Sequence, residues 1–303
     1  MIFRGEALRS PLMNENSRIV AVTGGAGRVG RLLASNLDAL GHTVRILDLP
    51  QAEFGGLENF ETLPGDICDG DYVRSALAGA DVVVHLAALL PPVAEERPEL
   101  THRVNVEGTK NALDAMDSMA EGGTLVFRSS VVVYGNTQYM QPPVTTDAPR
   151  RGAGAYPESK IAAEEAIGES GRAAVALRIS GVSVPDFLLP PAVWPFTADQ
   201  RMEFVLINDV AAALTSAAVG DFDTGMAVHN IAGGESWRLT GRQYSDAYLG
   251  TFQIPGDEAK FLDQSEAFDF YDIDSAVEDF GFSPTPFECF LSAFESSIAK
   301  ALS

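Results

Sequence analysis

Tyr156-Pro157-Glu158-Ser159-Lys160 sets a phenol and an amine four residues apart, on one face of a helix. A free tyrosine titrates near about 10, too high for a base at neutral pH. A neighbouring ammonium favours the phenolate and brings it within reach. The pair can then serve as general acid and base toward a carbinol or ketone oxygen. Ser130, in Ser129-Ser130-Val131-Val132-Val133-Tyr134-Gly135, offers a hydroxyl that can hold the same oxygen. The plainer alternatives are a surface helix and a polar strand end. Lysine is scarce in this chain, with only Lys110, Lys160, Lys260 and Lys300, so a lysine at this spacing counts for more than usual.

A second motif supplies the partner that such chemistry needs. Thr23-Gly24-Gly25-Ala26-Gly27-Arg28-Val29-Gly30 follows a short apolar run and opens a helical pattern. Glycine at 24 and 27 permits positive φ and close backbone approach to a ligand, and Gly30 lets helix and strand meet. The helix start at Arg28 and Val29 then aims unpaired N–H groups and a positive dipole end at a diphosphate. Asp48 ends the next strand, about 20 residues on, where a carboxylate accepts from ribose hydroxyls. A carboxylate opposes a 2′-phosphate, and Leu49-Pro50 adds no arginine, so the pattern favours NAD over NADP. Asp66, in Gly65-Asp66-Ile67, is either a contact to the adenine amino group or a plain turn residue. The alternative for the whole motif is a glycine-rich turn without a ligand.

These residues need a scaffold. In the first half, β-branched runs alternate with helical patterns, which implies βαβ units and a parallel sheet. Strands are expected at 18–23, 43–47, 60–63, 81–86, 124–129 and 173–179. Helices are expected at 28–40, 100–119 and 156–168. The carboxyl ends of such strands line a ligand crevice. Beyond Ser180 the order loosens. Residues 184–197 hold four prolines among Phe187, Leu188, Leu189, Val193, Trp194 and Phe196, and read as an apolar loop or lid. A helix at 208–219, a strand at 227–231 and a terminal helix at 287–302 follow. The expected architecture is α/β: a Rossmann-type doubly wound parallel sheet (18–180) and a small interleaved C-terminal substrate-binding cap (181–303).

Composition narrows the partners. The 303 residues carry 42 Asp and Glu against 21 Lys and Arg, a formal charge of −21. Such a surface repels nucleic-acid phosphates and anionic headgroups. No apolar run reaches the roughly 20 residues of a membrane helix. Two cysteines, Cys68 and Cys289, form no disulfide framework, and a reduced, cytoplasmic setting is expected. No metal-ligand spacing is evident. Residues 1–17 carry Arg4, Glu6 and Arg9 and read as a disordered leader rather than a signal peptide; alternatively, translation starts at Met13. The acidity fits a high-salt habitat or a GC-rich genome equally. Nine acids against Lys260 between Asp257 and Asp279 suggest a charged skin on the cap.

Taken together, these motifs resemble the extended short-chain dehydrogenase/reductases of the NAD-dependent epimerase/dehydratase family. Further matching pieces are His85-Leu86-Ala87-Ala88, Asn105-Val106-Glu107-Gly108-Thr109, Leu177-Arg178 and Asn208-Asp209-Val210-Ala211. The resemblance spans about residues 18 to 300. It implies Ser130 as the catalytic hydroxyl, Tyr156 as acid/base, and Lys160 as tuner of Tyr156 and ligand of the nicotinamide ribose. Gly24, Gly27, Arg28, Val29, Gly30, Asp48, Asp66, Ile67 and Leu86 would hold the cofactor, and Ala87 and Ala88 would pack along it. Asn105 would be structural, with a secondary role beside the cofactor. Ser130, Val131, Tyr156 and Trp194 would meet the substrate, and the helices near 100–119 and 156–168 would pair in a homodimer.

The pattern also departs from the nucleotide-sugar members. Arg178-Ile179-Ser180-Gly181-Val182-Ser183-Val184-Pro185 lacks the usual following Asn and Tyr-Gly-Pro. Met202 stands where a diphosphate-gripping arginine is usual, with Arg201 adjacent. A diphosphate needs charge-assisted donors, so a smaller or partly apolar substrate is favoured. Val131 and Val132 replace the acidic and basic groups of a 4,6-dehydratase. The expectation is an NAD-dependent oxidoreductase acting on a secondary carbinol or ketone of a sugar, sugar acid or similar small molecule. A nucleotide-sugar 4-epimerase, and a non-catalytic dinucleotide-binding sensor or scaffold, remain as alternatives.

Overall fold

The computed structural model describes residues 17–302 apart from 122, 223 and 265–267, so the expected leader falls, but for Ser17, outside the described residues. Seven strands build one sheet. They are β1 (Ile19–Thr23), β2 (Thr43–Asp48), β3 (Glu61–Pro64), β4 (Val82–His85), β5 (Thr124–Ser130), β6 (Ala174–Ile179) and β7 (Met226–Ile231). All pairings are parallel, in the order β7-β6-β5-β4-β1-β2-β3. Strands buried on both faces must be apolar throughout, which is why β4 reads Val-Val-Val-His and β6 Ala-Val-Ala-Leu-Arg-Ile. The order reverses at β1, which pairs with β2 on one side and β4 on the other. A crevice opens at such a switch point, beyond the carboxyl ends of the strands.

Two helical layers cover the sheet. On one face, α1 (Arg28–Ala39) buries Leu33 and Leu37 in a cluster that also holds Val210 and Leu214 of α5 (Ile207–Val219). Each such leucine contributes about 2 kcal/mol of apolar burial. On the other face lie α2 (Gly70–Leu77), α3 (Gly108–Ala115) and α4 (Ala155–Ser170). Sequence periodicity did not reveal α2; its start is a side-chain cap, Asp69 accepting from the N–H groups of Asp71 and Tyr72. The single helix expected at 100–119 is broken into the short helix Pro98–His102, a π-helical turn over Arg103–Glu107, α3, and a 3-10 turn at Met116–Ser118. The wide turn contains Asn105, whose side chain bonds Leu89 N–H and C=O and the Ser159 hydroxyl.

The C-terminal residues contribute β7 to the sheet and an aromatic layer beside it. Trp194, Phe196, Trp237, Tyr244, Tyr248, Phe287, Phe290 and Phe294 form one buried cluster. It is framed by α6 (Gly241–Thr251), which opens on a Thr240/Gln243 capping box, and by α8 (Phe287–Leu302). A further helix, α7 (Asp274–Phe280), packs near β7. The acidic stretch 257–279 is not all surface. Asp269 is fully buried and paired with Arg201 at 2.6 Å, because a buried carboxylate requires a charged or hydrogen-bonded partner.

Candidate active site

A cleft of about 690 Å³ runs along the ends of β1, β2 and β4. Its floor is the glycine turn. Gly24 sits at φ +67°, and a Cβ there would stand 2.8 Å from Ala87 N, so only glycine lets the turn approach the end of β4. A Cβ on Gly30 would lie 2.5 Å from Gly25 Cα, so α1 packs directly on the turn that precedes it. Gly27 begins α1 with no side-chain cap, leaving first-turn N–H groups for an anion. Asp48 accepts from Ala26 N–H at 3.0 Å and Leu49 N–H at 2.8 Å. These bonds fix its carboxylate on the cleft wall, with lone pairs left for hydroxyl donors.

Of the expected cofactor residues, Gly24, Gly27, Arg28, Val29, Gly30, Asp48, Asp66, Ile67, Leu86, Ala87 and Ala88 all line this cleft. Asp66 lines the cleft and accepts Cys68 N–H in a turn. Asn105 does not line the cleft. It is buried and shapes the segment around Leu89. His85 anchors the wall from behind, bonded to Thr23 at 2.7 Å and Thr109 at 3.1 Å. Complete burial and the Lys160 charge push it down to about 3, so it stays neutral.

The second half of the site lies at the end of β5. Tyr156 and Lys160 are buried, and Ser130 is half-buried. The N–H groups of Ala155 and Tyr156 at the start of α4 donate to the Glu95 carboxylate at 2.8 and 3.0 Å, which holds Tyr156 in place from a distant segment. Pro157 falls in this first turn, where its missing N–H costs little. Lys160 Nζ lies 5.8 Å from the Tyr156 ring centroid, 4.7 Å from that of Phe127, and donates to Arg128 C=O at 2.8 Å.

The electrostatics differ from the sequence expectation. Burial raises Tyr156 above its ordinary value, while the Arg128 guanidinium and the Ser130 hydroxyl favour its phenolate. Burial, reinforced by Arg128, brings Lys160 down to about 7, against an opposing pull from Glu164. The sequence assigned the lowering of Tyr156 to Lys160; among this chain's groups the cation acting that way is Arg128. Behind the site, fully buried Glu164 accepts two bonds from Arg178, at 3.0 and 2.7 Å, and one from Ser129 at 2.5 Å. Arg178 also donates to Tyr134 Oη, which donates to Asn230.

Two of the residues expected at the substrate, Trp194 and Val131, are buried. Trp194 does not line the cleft: it is 5% exposed, stacked on Phe196 at 5.6 Å and edge-on to Tyr244 and Tyr248. An apolar loop in a short cap buries its largest ring rather than presenting it. Val131 is 1% exposed, its side chain turned into the core by the 3-10 turn after β5. Arg201, next to the place of the usual diphosphate-gripping arginine, is bound to Asp269 and to the carbonyls of Gln138 and Met140. Arg128 was missed, although strand alternation puts it on the face of Ser130, two residues on. Among the described residues, no group of three His, Cys, Asp or Glu could hold a metal ion, and no helix is long and apolar enough to cross a membrane.

Comparison with known proteins bears on this geometry. The sequence pattern of the NAD dependent epimerase/dehydratase family matches residues 20–187. A 3-beta-hydroxysteroid dehydrogenase of Mycolicibacterium neoaurum is 32% identical over 181 residues, 57% of this chain and 50% of that protein. A UDP-glucose 4-epimerase of Streptomyces lividans is 37% identical over 173 residues, 55% of this chain and 50% of that protein. The chain thus spans about half the length of these relatives. A short-chain dehydrogenase/reductase superfamily protein of Agrobacterium tumefaciens, crystallised with bound NAD, superimposes with a TM-score of 0.78 at 21% identity, over 94% of this chain and 98% of that one. At that identity the likeness speaks for the fold.

Proposed function

Because the chain belongs to the NAD dependent epimerase/dehydratase family, we propose that it is an NAD-dependent oxidoreductase acting on a secondary carbinol or ketone of a small substrate such as a sugar or sugar acid. The observation that carries this reading is the buried Tyr156, with the Ser130 hydroxyl as partner and Arg128, which lines the glycine-turn cleft, acting on it. That cleft fits a dinucleotide: the uncapped start of α1 would receive the diphosphate and Asp48 would accept from the ribose hydroxyls. Bound NAD would supply the acceptor or donor of hydride. Tyr156 would take the carbinol proton during oxidation and return it during reduction. Ser130 would hold the substrate oxygen against the phenol, and Lys160 would bind the nicotinamide ribose. Residues 18–180 would form the NAD-binding part and 181–303 mainly the substrate cap, in a cytoplasmic homodimer.

A nucleotide-sugar 4-epimerase is the second reading, favoured by the Streptomyces relative. The commitment of Arg201 to Asp269 argues against it, since no diphosphate ligand is left at that place. A non-catalytic dinucleotide sensor has no use for a buried Tyr156 beside Ser130. The test is a screen of sugars, sugar acids and nucleotide sugars with NAD, followed by NADH absorbance. Net NADH from a non-nucleotide alcohol supports the proposal; isomerised nucleotide sugar without net NADH supports the epimerase. Tyr156→Phe should lower turnover by about 10²–10⁴-fold with NAD affinity kept. Turnover unchanged in that variant would sink the mechanism.

A further inference from the structure

Arg128 is half-buried on β5 and lines the cleft. Arg178, Arg201 and Arg238 are matched to Glu164, Asp269 and Glu203. The Arg128 guanidinium has no hydrogen bond and no ion pair among the described residues, although the chain carries 42 acids. A guanidinium offers five donors in a planar fork that fits a carboxylate bidentately. Half-buried at the cleft, with those donors unspent on the protein, it can take an anion from outside the chain.

From this we propose that Arg128 binds a carboxylate carried by the substrate close to the carbinol that Tyr156 serves. The inference deepens the function proposed above and rests on it. Arg128 and Ser130 point to the same sheet face, and two residues of strand separate their Cα atoms by about 7 Å. A hydroxyl held at Ser130 and a carboxylate held at Arg128 are therefore a few bonds apart, as in a hydroxy acid or a uronic acid. Lys160 grips the Arg128 carbonyl from the opposite face, which fixes the backbone that carries the fork. The cofactor diphosphate is a less suitable partner. Its site is the start of α1 after β1, and β5 stands two strands away, about 10 Å across the sheet.

The test measures binding to NADH-loaded protein by calorimetry, so that no turnover intervenes. Glucuronate and 3-hydroxybutyrate are compared with their uncharged counterparts, glucose and 1,3-butanediol. In the wild type, at least one acid should bind ten times or more tighter than its counterpart. Arg128→Met should erase that preference to within threefold, Arg128→Lys should keep part of it, and NADH affinity should change less than threefold. Acids that bind no better than the uncharged compounds, or do not bind, overturn the proposal, as does a preference that survives Arg128→Met. A tenfold loss of NADH affinity in Arg128→Met also overturns it and assigns the arginine to the cofactor. If Arg128-dependent binding holds while no hydroxy acid reduces NAD, the oxidoreductase reading fails and the anion site stands.

Discussion

At the residue scale, the site shows how burial can reverse a rule learned from exposed groups. Four-residue spacing puts Lys160 near Tyr156, but the same helix face is the one packed against the sheet, so both groups are desolvated. Lys160 falls from 10.5 to about 7. The sign for stability follows. Below about 7, Lys160 is protonated in both folded and unfolded chains. Between there and 10.5 the unfolded chain holds a proton that the folded chain lacks, so this group makes stability rise with pH. Wild type compared with Lys160→Met in urea unfolding should therefore gain relative stability from about pH 7 to about pH 9. A difference that is flat over that range would show an ordinary lysine. The residues proposed to act here were legible by type and spacing. Arg128 was not, because a single arginine in a strand carries no motif, and only its position in the cleft gives it meaning.

At the element scale, the glycine turn lines the cleft proposed for the cofactor, and its position after β1 was legible, since turn geometry is local. Gly24→Ala must place a side chain at positive φ, at a cost of about 1–2 kcal/mol, and drive it into Ala87. The expected outcome is NAD affinity at least tenfold weaker by fluorescence titration, with a lower melting temperature. Unchanged affinity would mean that the turn does not touch the cofactor. Elements set by distant partners were not legible. The π turn inside the helix expected over 100–119 holds Asn105, whose partners Leu89 and Ser159 lie 16 and 54 residues away in sequence. The anchoring of α4 by Glu95 spans 60 residues of sequence.

At the scale of the whole molecule, the charge of −21 opposes the approach of an anionic dinucleotide, and the local N–H groups of α1 must overcome it. Raising salt from about 0.1 to about 1 M shortens the screening length from about 10 to about 3 Å. Long-range repulsion then fades faster than the short-range contacts, and stopped-flow measurement should give a NAD association rate severalfold higher at high salt. A rate that falls with salt would mean that the cleft is attractive on balance. The acidity itself is of two kinds. Asp279 and Asp221 are largely exposed, whereas Glu164 is buried against Arg178, Glu203 against Arg238 and Asp269 against Arg201.

Sequence by itself determined the parallel α/β sheet, the glycine turn after its first strand and the candidate set Ser130, Tyr156 and Lys160, because each is written in short-range periodicity or in a motif of few residues. The tertiary structure decided what those residues face. It turned Trp194 and Val131 into core, consumed Arg201 on Asp269, and left Arg128 in the cleft beside a buried tyrosine. Burial and pairing depend on chain segments far apart in sequence, and desolvation, which sets the charge state of every group in the site, exists only once those segments meet.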